Sequence, residues 1–387
     1  MKKRGAKMKK LMTIMLVVLC IVSGCSKEND TNTIQDKQQE INALMEKGDE
    51  QYLNGEYPEA KANYAKVIEL DETYVSAYIN KARATIKLEE YEDSKNNLKK
   101  ASELLIGNLT APYYDVVAEL AVKQNRKAEA IEALNNAIAI ETTAVRLSNR
   151  GQVFSLLHQN EQAKADLHQA IEEIEGQIFA NYYYLTEIAI YEENYPEAEK
   201  HLAKMIEKKP ENSEAPAMQG YINAKKIAND NELTREQKNE LEHKASEKIT
   251  EATEKFESEN NEITANYIGL YHYVNENVEI ALEFYNKAIN LDDKEASFYN
   301  NRALAYYTLG DNDSAYQDMS EAIKLDNLEA EYYLGRGYIL VTRKQKASAI
   351  GDFSRAVELD GTYINRIPSE YHEELPENIR NGGQEND

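Results

Sequence analysis

The side chains that most often perform catalysis do not cluster in this sequence. The six histidines are spread along the chain as His158, His168, His201, His243, His272 and His372. The sequence contains no motif that places paired histidines or cysteines around a metal, a glycine-rich loop around a phosphate, or a serine in a nucleophile elbow. We therefore expect no enzyme activity, no cofactor and no metal site.

One cysteine stands in a pattern with a defined chemistry. Cys25 follows Val22, Ser23 and Gly24, and before them lies an apolar run from Leu11 to Ile21 preceded by six Lys and Arg residues. The pattern resembles a bacterial lipobox, which implies that residues 1–24 are a lipoprotein signal peptide and that Cys25 carries the lipid. The apolar run is short for a membrane span. The alternative is an uncleaved N-terminal helix that ends at a cysteine by chance.

Residues 26–39 are polar and show no apolar periodicity. We therefore expect residues 25–40 to be a lipidated N-terminus and flexible tether, which would span about 20 Å on average. Two acyl chains would hold such a protein stably on a bilayer.

The rest of the chain repeats one 34-residue unit, seen most clearly in residues 296–329 and 330–363. The first copy has Tyr299, Ala303, Ala315, Met319 and Ala322, and the next has Tyr333, Gly337, Ala349, Phe353 and Ala356 in the same slots. Each set is spaced as the apolar stripes of two helices joined by a turn. A lone pair of helices cannot bury such stripes, so the copies must stack.

This period, with small residues at fixed places, resembles the tetratricopeptide repeat. The resemblance implies an all-α, right-handed superhelical solenoid of about nine helix-turn-helix repeats. We expect an N-terminal array of about five repeats at 41–212, a degenerate repeat at 213–261 and a C-terminal array of three repeats at 262–363. Residues 364–387 would form a short capping segment and a disordered tail.

The sixth copy departs from the pattern, because its second-helix signature comes about thirteen residues late. Thr234 and Gln237 have capping-box spacing, so we expect a long, charged helix from Arg235 to about Ser258. This extension is either a solvated insertion or a protruding partner site or hinge. Three other copies place Arg and Asp sixteen residues apart, as Arg150/Asp166, Arg302/Asp318 and Arg336/Asp352. The resemblance implies that these are structural ion pairs between the two helices of one repeat.

In this family the first helices of successive repeats line a concave groove that binds partners. Transferred to this chain, the groove positions are rich in tyrosine and asparagine, which suit contact with a peptide or protein. They are Tyr52, Asn80, Arg83, Asn149, Tyr183, Tyr184, Tyr191, Tyr221, Asn266, Tyr267, Tyr273, Asn300, Asn301, Tyr307 and Tyr338. The alternative is that several of these tyrosines pack between helices, since the chain has 27 of them.

The charge balance limits the class of partner. The net charge is −23, and loss of the signal peptide would leave 39 Lys and Arg against 68 Asp and Glu, a net charge of −29. So acidic a chain repels nucleic acid. We expect an extracytoplasmic lipoprotein, anchored to a bacterial membrane, that acts as a scaffold or assembly factor for other envelope proteins or peptides. The alternative is an accessory lipoprotein that binds a soluble peptide or glycan.

The lipid attachment site can be tested directly. We expect Cys25→Ala to leave the protein as an unprocessed precursor or to release it from the membrane, because the thioether attachment point is gone. Membrane fractionation and mass measurement of the N-terminus check this. A Cys25→Ala protein that is still processed and membrane-bound would contradict the prediction.

Overall fold

The structure is a computed structural model that describes residues 35–173 and 178–380, and within these ranges all the regular structure is helical. The predicted all-α class is therefore confirmed. The chain divides into two compact units, Met1–Val153 and Phe154–Asp387, called unit 1 and unit 2 below. The predicted signal peptide and Cys25 lie outside the described residues.

Unit 1 consists of helices packed in consecutive pairs. In chain order they are α1 (35–53), α2 (Tyr57–Leu70), α3 (Val75–Lys87), α4 (Tyr91–Leu105), α5 (Ala111–Lys123), α6 (Lys127–Ile140) and α7 (Ala144–Ser155), which ends two residues into unit 2. The predicted tether differs in its boundary, since residues 35–40 already belong to α1. Their Gln, Lys and Glu side chains are good helix formers and extend the helix into solvent from Ile41, its first buried residue.

Unit 2 continues the paired arrangement and ends in shorter elements. Its helices are α8 (Asn160–Glu173), α9 (Ile178–Tyr191), α10 (Tyr195–Lys208), α11 (Glu214–Asn229), α12 (Arg235–Glu259), α13 (Glu262–Val274), α14 (Val278–Leu291), α15 (Ala296–Thr308), α16 (Asn312–Leu325), α17 (Ala330–Thr342), α18 (Lys346–Leu359), a 3-10 helix (Gly361–Arg366), α19 (Ser369–His372) and α20 (Glu377–Arg380). Buried Tyr363, Ile367, Leu375 and Ile379 pack these last elements against the core of the final repeat.

The turn between the two helices of a repeat has a recurring geometry. In the α15–α16 turn, Gly310 has φ +82° and the backbone N–H of Asp311 donates to the Tyr306 carbonyl at 2.9 Å. This closure satisfies a carbonyl that the helix end leaves free. Glu276 and Lys344 occupy the same left-handed position 34 residues before and after Gly310. The period therefore repeats in the backbone as well as in the side chains.

The two helices of a repeat approach closely because a small residue on the first faces a large one on the second. A Cβ built on Gly269 would lie 2.6 Å from the Tyr285 ring, and one on Gly48 would lie 2.6 Å from the Tyr64 ring. In the α15–α16 repeat the large residue is Met319, whose side chain is narrower than a tyrosine ring. The small residue on the first helix is then Ala303, which is fully buried in the same cluster. The sizes of the two residues therefore compensate within each repeat.

Two of the predicted Arg–Asp pairs lie within unit 2, and both are formed. Arg302 binds Asp318 through two hydrogen bonds of 2.7 Å, and Arg336 binds Asp352 at 2.7 and 2.8 Å. Each pair joins the first helix of a repeat to its second. Both aspartates are buried, so the paired geometry compensates for the loss of hydration. The third pair, Arg150 and Asp166, has one residue in each unit.

The sixth repeat has the long second helix that its capping signal predicted. The Thr234 side chain accepts from the Gln237 backbone, and the Gln237 side chain accepts from the Thr234 backbone. The buried residues of α12 begin only at Ala245 and continue to Phe256, whereas most residues of 235–244 are exposed. The first ten residues of this helix therefore contribute no fully buried side chain to the core.

We expect Gly269→Ala to lower the stability of the folded chain by about 1–3 kcal/mol, because the added methyl group overlaps the Tyr285 ring. Tyr285→Leu should restore part of that loss in the double variant, since it recreates the Ala–Leu pairing of Ala82 and Leu98. Chemical unfolding of the two single variants and the double variant measures the coupling. Additive losses would show that the contact does not limit the packing.

Candidate partner-binding face

The first helices of unit 2 carry most of the predicted groove residues. We call the surface of α9, α11, α13, α15 and α17 the first-helix face of unit 2. Side-chain hydrogen bonds connect its helices, from α9 to α13 by Glu187 and Tyr267 and from α13 to α15 by Asn266 and Asn301. The face is therefore a continuous arrangement of aromatic, amide and carboxylate groups.

A carboxylate lies at the aromatic end of this face. The Tyr267 hydroxyl donates to Oε1 of Glu187, and the Tyr183 hydroxyl also acts as a hydrogen-bond partner of that carboxylate. Tyr267 is 4% exposed, while Glu187 and Tyr183 are half-buried. The Tyr221 ring stands edge-on to Tyr267 with their centroids 5.6 Å apart. We call Glu187 and the rings of Tyr183, Tyr184, Tyr221 and Tyr267 the Glu187 site.

Burial raises the pKa of the Glu187 carboxyl group. The hydrogen bonds from Tyr267 and Tyr183 act in the opposite direction, and the carboxylates of Glu295 and Glu214 raise the pKa further. Burial also raises the pKa of Tyr267 and of Tyr183, and the nearby Glu187 charge adds to the effect. Negative charge at this site is therefore held against an unfavourable environment.

No basic side chain of the described residues forms an ion pair with Glu187. The five helices of the face contain only four Lys and Arg residues, and none of these is on α9 or α13. Lys226 binds Glu199 of α10 at 2.9 Å, and Arg302 and Arg336 bind the aspartates of α16 and α18. Three of the four cations are thus paired with acids on second helices.

Amide groups continue the face on α13 and α15. Asn301 donates through Nδ2 to Oδ1 of Asn266 at 2.9 Å, and Asn300 donates to Asn301 at 3.4 Å. The Oδ1 atom of Asn300 is buried and has no hydrogen-bond donor among the described residues. A buried acceptor without a donor is costly, so this cluster has an unused hydrogen-bonding position.

Three predicted tyrosines are held by contacts within the array. The Tyr273 hydroxyl lies 3.0 Å from Oγ1 of Thr308, and the Tyr307 hydroxyl lies 3.2 Å from Oγ1 of Thr342. The Tyr338 hydroxyl donates to the backbone carbonyl of Arg366 in the C-terminal cap. These hydroxyls join neighbouring elements, although the Tyr307 side chain remains 37% exposed.

Tyr191 is the most exposed tyrosine of the face, at 56%. Its ring stacks on His158 with centroids 4.6 Å apart, and His158 Nε2 lies 2.7 Å from Oε2 of Glu329. His158 and Glu329 are 171 residues apart in the chain. The turn after α7 therefore meets the start of α17 within unit 2.

The predicted groove residues of unit 1 have a different setting. Asn80 donates to Oδ1 of Asp49 at 2.9 Å, and half-buried Arg83 is close enough to act on the pKa of Tyr52, which burial raises. Asn149 is exposed. Ion pairs connect successive first helices here, including Lys87 with Glu119 at 2.7 Å. In unit 1, charged residues of the first helices thus pair with residues of neighbouring first helices.

Tyr183, Tyr184, Tyr221 and Tyr267 are all predicted groove residues, and the structure brings them near Glu187, which is not among the predicted residues. A signal was present, because Glu187 is the only charged residue in the fourteen residues of α9. A single carboxylate in an aromatic helix would be exposed in an ordinary amphipathic pattern, and here it is half-buried.

The comparisons with known proteins concern the repeat. The sequence profile of the Tetratricopeptide repeat family matches residues 300–364, which span most of α15 and all of α16, α17 and α18. The predicted resemblance is confirmed for this segment. No curated protein matches the chain.

Several solved structures resemble the chain in architecture. PilW, a type IV pilus biogenesis factor, is 16% identical over 56% of this chain and 94% of its own, with a TM-score of 0.47. The C-terminal part of a repeat-containing protein from Cytophaga hutchinsonii is 16% identical over 66% and 98%, with a TM-score of 0.44. One chain of the APC/C hetero-tetramer Cut9-Hcn1 is 14% identical over 82% of this chain, with a TM-score of 0.43, and the match covers 52% of that chain.

Two further findings apply to residues 35–173 and 178–380. They contain no group of three or more His, Cys, Asp or Glu side chains arranged to hold a metal ion. None of their helices combines the length and the apolar character that crossing a membrane requires.

The raised pKa of Glu187 predicts how one substitution changes stability with pH. When folding raises the pKa of a carboxyl group, ionisation of that group destabilises the folded protein. The loss of stability begins near the unfolded pKa, about 4.3, and grows as the pH rises through the folded pKa. Glu187→Gln keeps an acceptor for Tyr267 and removes the charge. We therefore expect a higher melting temperature than wild type at pH 7 and no difference near pH 4.

The matched control is Glu240→Gln on the exposed start of α12. Glu240 forms a hydrogen-bonded ion pair with Lys244, which lowers the pKa of Glu240. Its replacement should give no gain at pH 7. Thermal melts followed by circular dichroism at both pH values check the prediction, and an equal gain for Glu187→Gln at pH 4 would contradict it.

Proposed function

We propose that this chain is a protein-interaction scaffold whose unit 2 binds a segment of a partner along its first-helix face. The observation that carries the proposal is the group of tyrosine rings and amides gathered on this face. Tyr191 and Tyr307 remain exposed, and the buried Asn300 Oδ1 has no donor among the described residues. Large aromatic rings with a polar end are the residues that contribute most at protein interfaces.

The partner would belong to the cell envelope. The support for this is the Val22–Cys25 pattern after a basic and apolar N-terminal stretch, which is typical of exported lipoproteins. The protein would then be extracytoplasmic and held to a bacterial membrane by the lipid on Cys25. Unit 2, some 130 residues further along the chain, would meet partners at the membrane surface. Its role would be to hold or assemble them.

The absence of a recognised catalytic set agrees with a binding role. The Glu187 site has a carboxylate and phenol groups, and the hydroxyls of Tyr183 and Tyr267 have raised pKa values, so they are poor bases at neutral pH. The same groups offer hydrogen bonds and aromatic surface to a ligand.

The proposal predicts a difference between the two sides of the repeats. We expect Tyr191→Ala and Tyr307→Ala together to lower recovery of the partner by at least tenfold, because truncating central aromatic residues commonly costs more than 1.4 kcal/mol of binding. Recovery is measured by chemical cross-linking in intact cells, affinity capture and quantitative mass spectrometry of envelope proteins.

The matched controls are Ile206→Ala and Ile280→Ala on the second helices α10 and α14. Their side chains are 40% and 42% exposed, comparable to Tyr307. These variants should recover the same partners as wild type. Equal recovery by the tyrosine variants, with melting temperatures unchanged, would refute binding on the first-helix face.

A further inference from the structure

The Glu187 site has the composition of a receptor for a cation. The Tyr267 hydroxyl donates to one carboxylate, that of Glu187. The Tyr221 ring stands edge-on to Tyr267, and the Tyr183 and Tyr184 rings stand edge-on to each other. All four tyrosines interact electrostatically with Glu187. Tyrosine faces attract cations through the ring quadrupole, and a carboxylate adds charge-assisted hydrogen bonds. The combination recognises a positive group better than either part alone.

The two helices that carry the central residues of the site do not provide that positive group. Helices α9 and α13, which carry the central residues of the site, contain no Lys or Arg. Lys226, Arg302 and Arg336 of the neighbouring first helices are bound to acids of second helices. Two further carboxylates, Glu214 and Glu295, are close enough to act on Glu187. Lys209 acts on Glu214, but Glu187 itself has no ion-pair partner among the described residues.

The known hydrogen bonds leave the carboxylate with free capacity. An ionised carboxylate has about four acceptor positions. The Tyr267 hydroxyl occupies one of these, on Oε1, and Tyr183 contributes a second interaction. Glu187 keeps a minor part of its surface exposed to solvent, and a ligand group would approach the carboxylate from that side.

We propose that the Glu187 site binds an arginine side chain of the partner, in a complex that rests on the proposed scaffold function. Arginine fits better than lysine, because its planar guanidinium stacks on aromatic rings and donates to a carboxylate through two parallel hydrogen bonds. Its weaker hydration also makes it easier to transfer into a half-buried aromatic site. The arginine would supply the positive charge that the first-helix face lacks.

A labelled peptide of alternating glycine and arginine, with three arginines, tests the assignment at 0.15 M salt. The matched probe replaces each arginine with citrulline, which has a similar shape and no charge. Fluorescence anisotropy gives the affinities for wild type, Glu187→Gln and Glu240→Gln. Both variants remove one negative charge, so they separate a specific site from general attraction to an acidic protein.

We expect Glu187→Gln to weaken binding of the arginine peptide at least fivefold and Glu240→Gln to weaken it less than twofold. The citrulline peptide should not distinguish the three proteins. Equal weakening by the two variants would overturn the proposal, because the peptide would then respond only to net charge. Circular dichroism confirms that each variant is folded.

A second measurement uses the wild-type chain and does not depend on a variant. Carbodiimide joins a carboxylate to an amine that it contacts, so a lysine version of the peptide should become attached at Glu187. Mass spectrometry of the digested product locates the attachment. Attachment confined to exposed carboxylates such as Glu240 would also overturn the proposal.

The two proposals can fail separately. If Tyr191 and Tyr307 are needed for partner recovery but Glu187→Gln binds the arginine peptide as wild type does, the face is a binding surface and the arginine site is wrong. If Glu187→Gln weakens binding of the arginine peptide but the tyrosine variants recover the partner as wild type does, the arginine site is supported and the wider binding face is wrong.

Discussion

The close approach of the two helices within a repeat is the constraint on which the rest of unit 2 depends. Gly269 leaves no room for a methyl group beside Tyr285, and fully buried Ala303 shares its cluster with Met319. Because interiors are packed as densely as crystals of small molecules, the small and large residues must match pair by pair. The matched pairs fix the direction of each first helix, and therefore which of its side chains face the next one.

This constraint explains why the fold was predictable from the sequence and the site was not. Small residues, left-handed turn positions and Arg–Asp pairs all act over at most about one repeat, and they recur with the 34-residue period. The contacts of the face have another origin. Tyr267 meets Glu187 across 80 residues, and His158 meets Glu329 across 171. Such contacts depend on the summed rotation of several repeats, which no single repeat encodes.

The two units also differ in the chemistry of their first helices. The predicted groove residues were transferred by position, as if each repeat used its first helix alike. In unit 1 the first helices contain acids and bases that pair with one another, such as Arg146 with Asp115 at 2.9 Å. In unit 2 three of the four basic residues of the first-helix face are paired with second helices, and the face keeps aromatic rings and carboxylates. One fold thus presents two chemically different surfaces.

Glu187 connects stability and recognition in this scheme. A half-buried carboxylate with no cation nearby opposes folding at neutral pH, and a glutamine there would keep the hydrogen bond from Tyr267 while removing the charge. The charge on Glu187 therefore does not stabilise the fold of the free protein. It becomes favourable only when a cation arrives from outside, since the attraction then acts in a site that water screens poorly. A residue that destabilises the free protein and stabilises its complex is what a binding site requires, and a structural residue has no such reason to be charged.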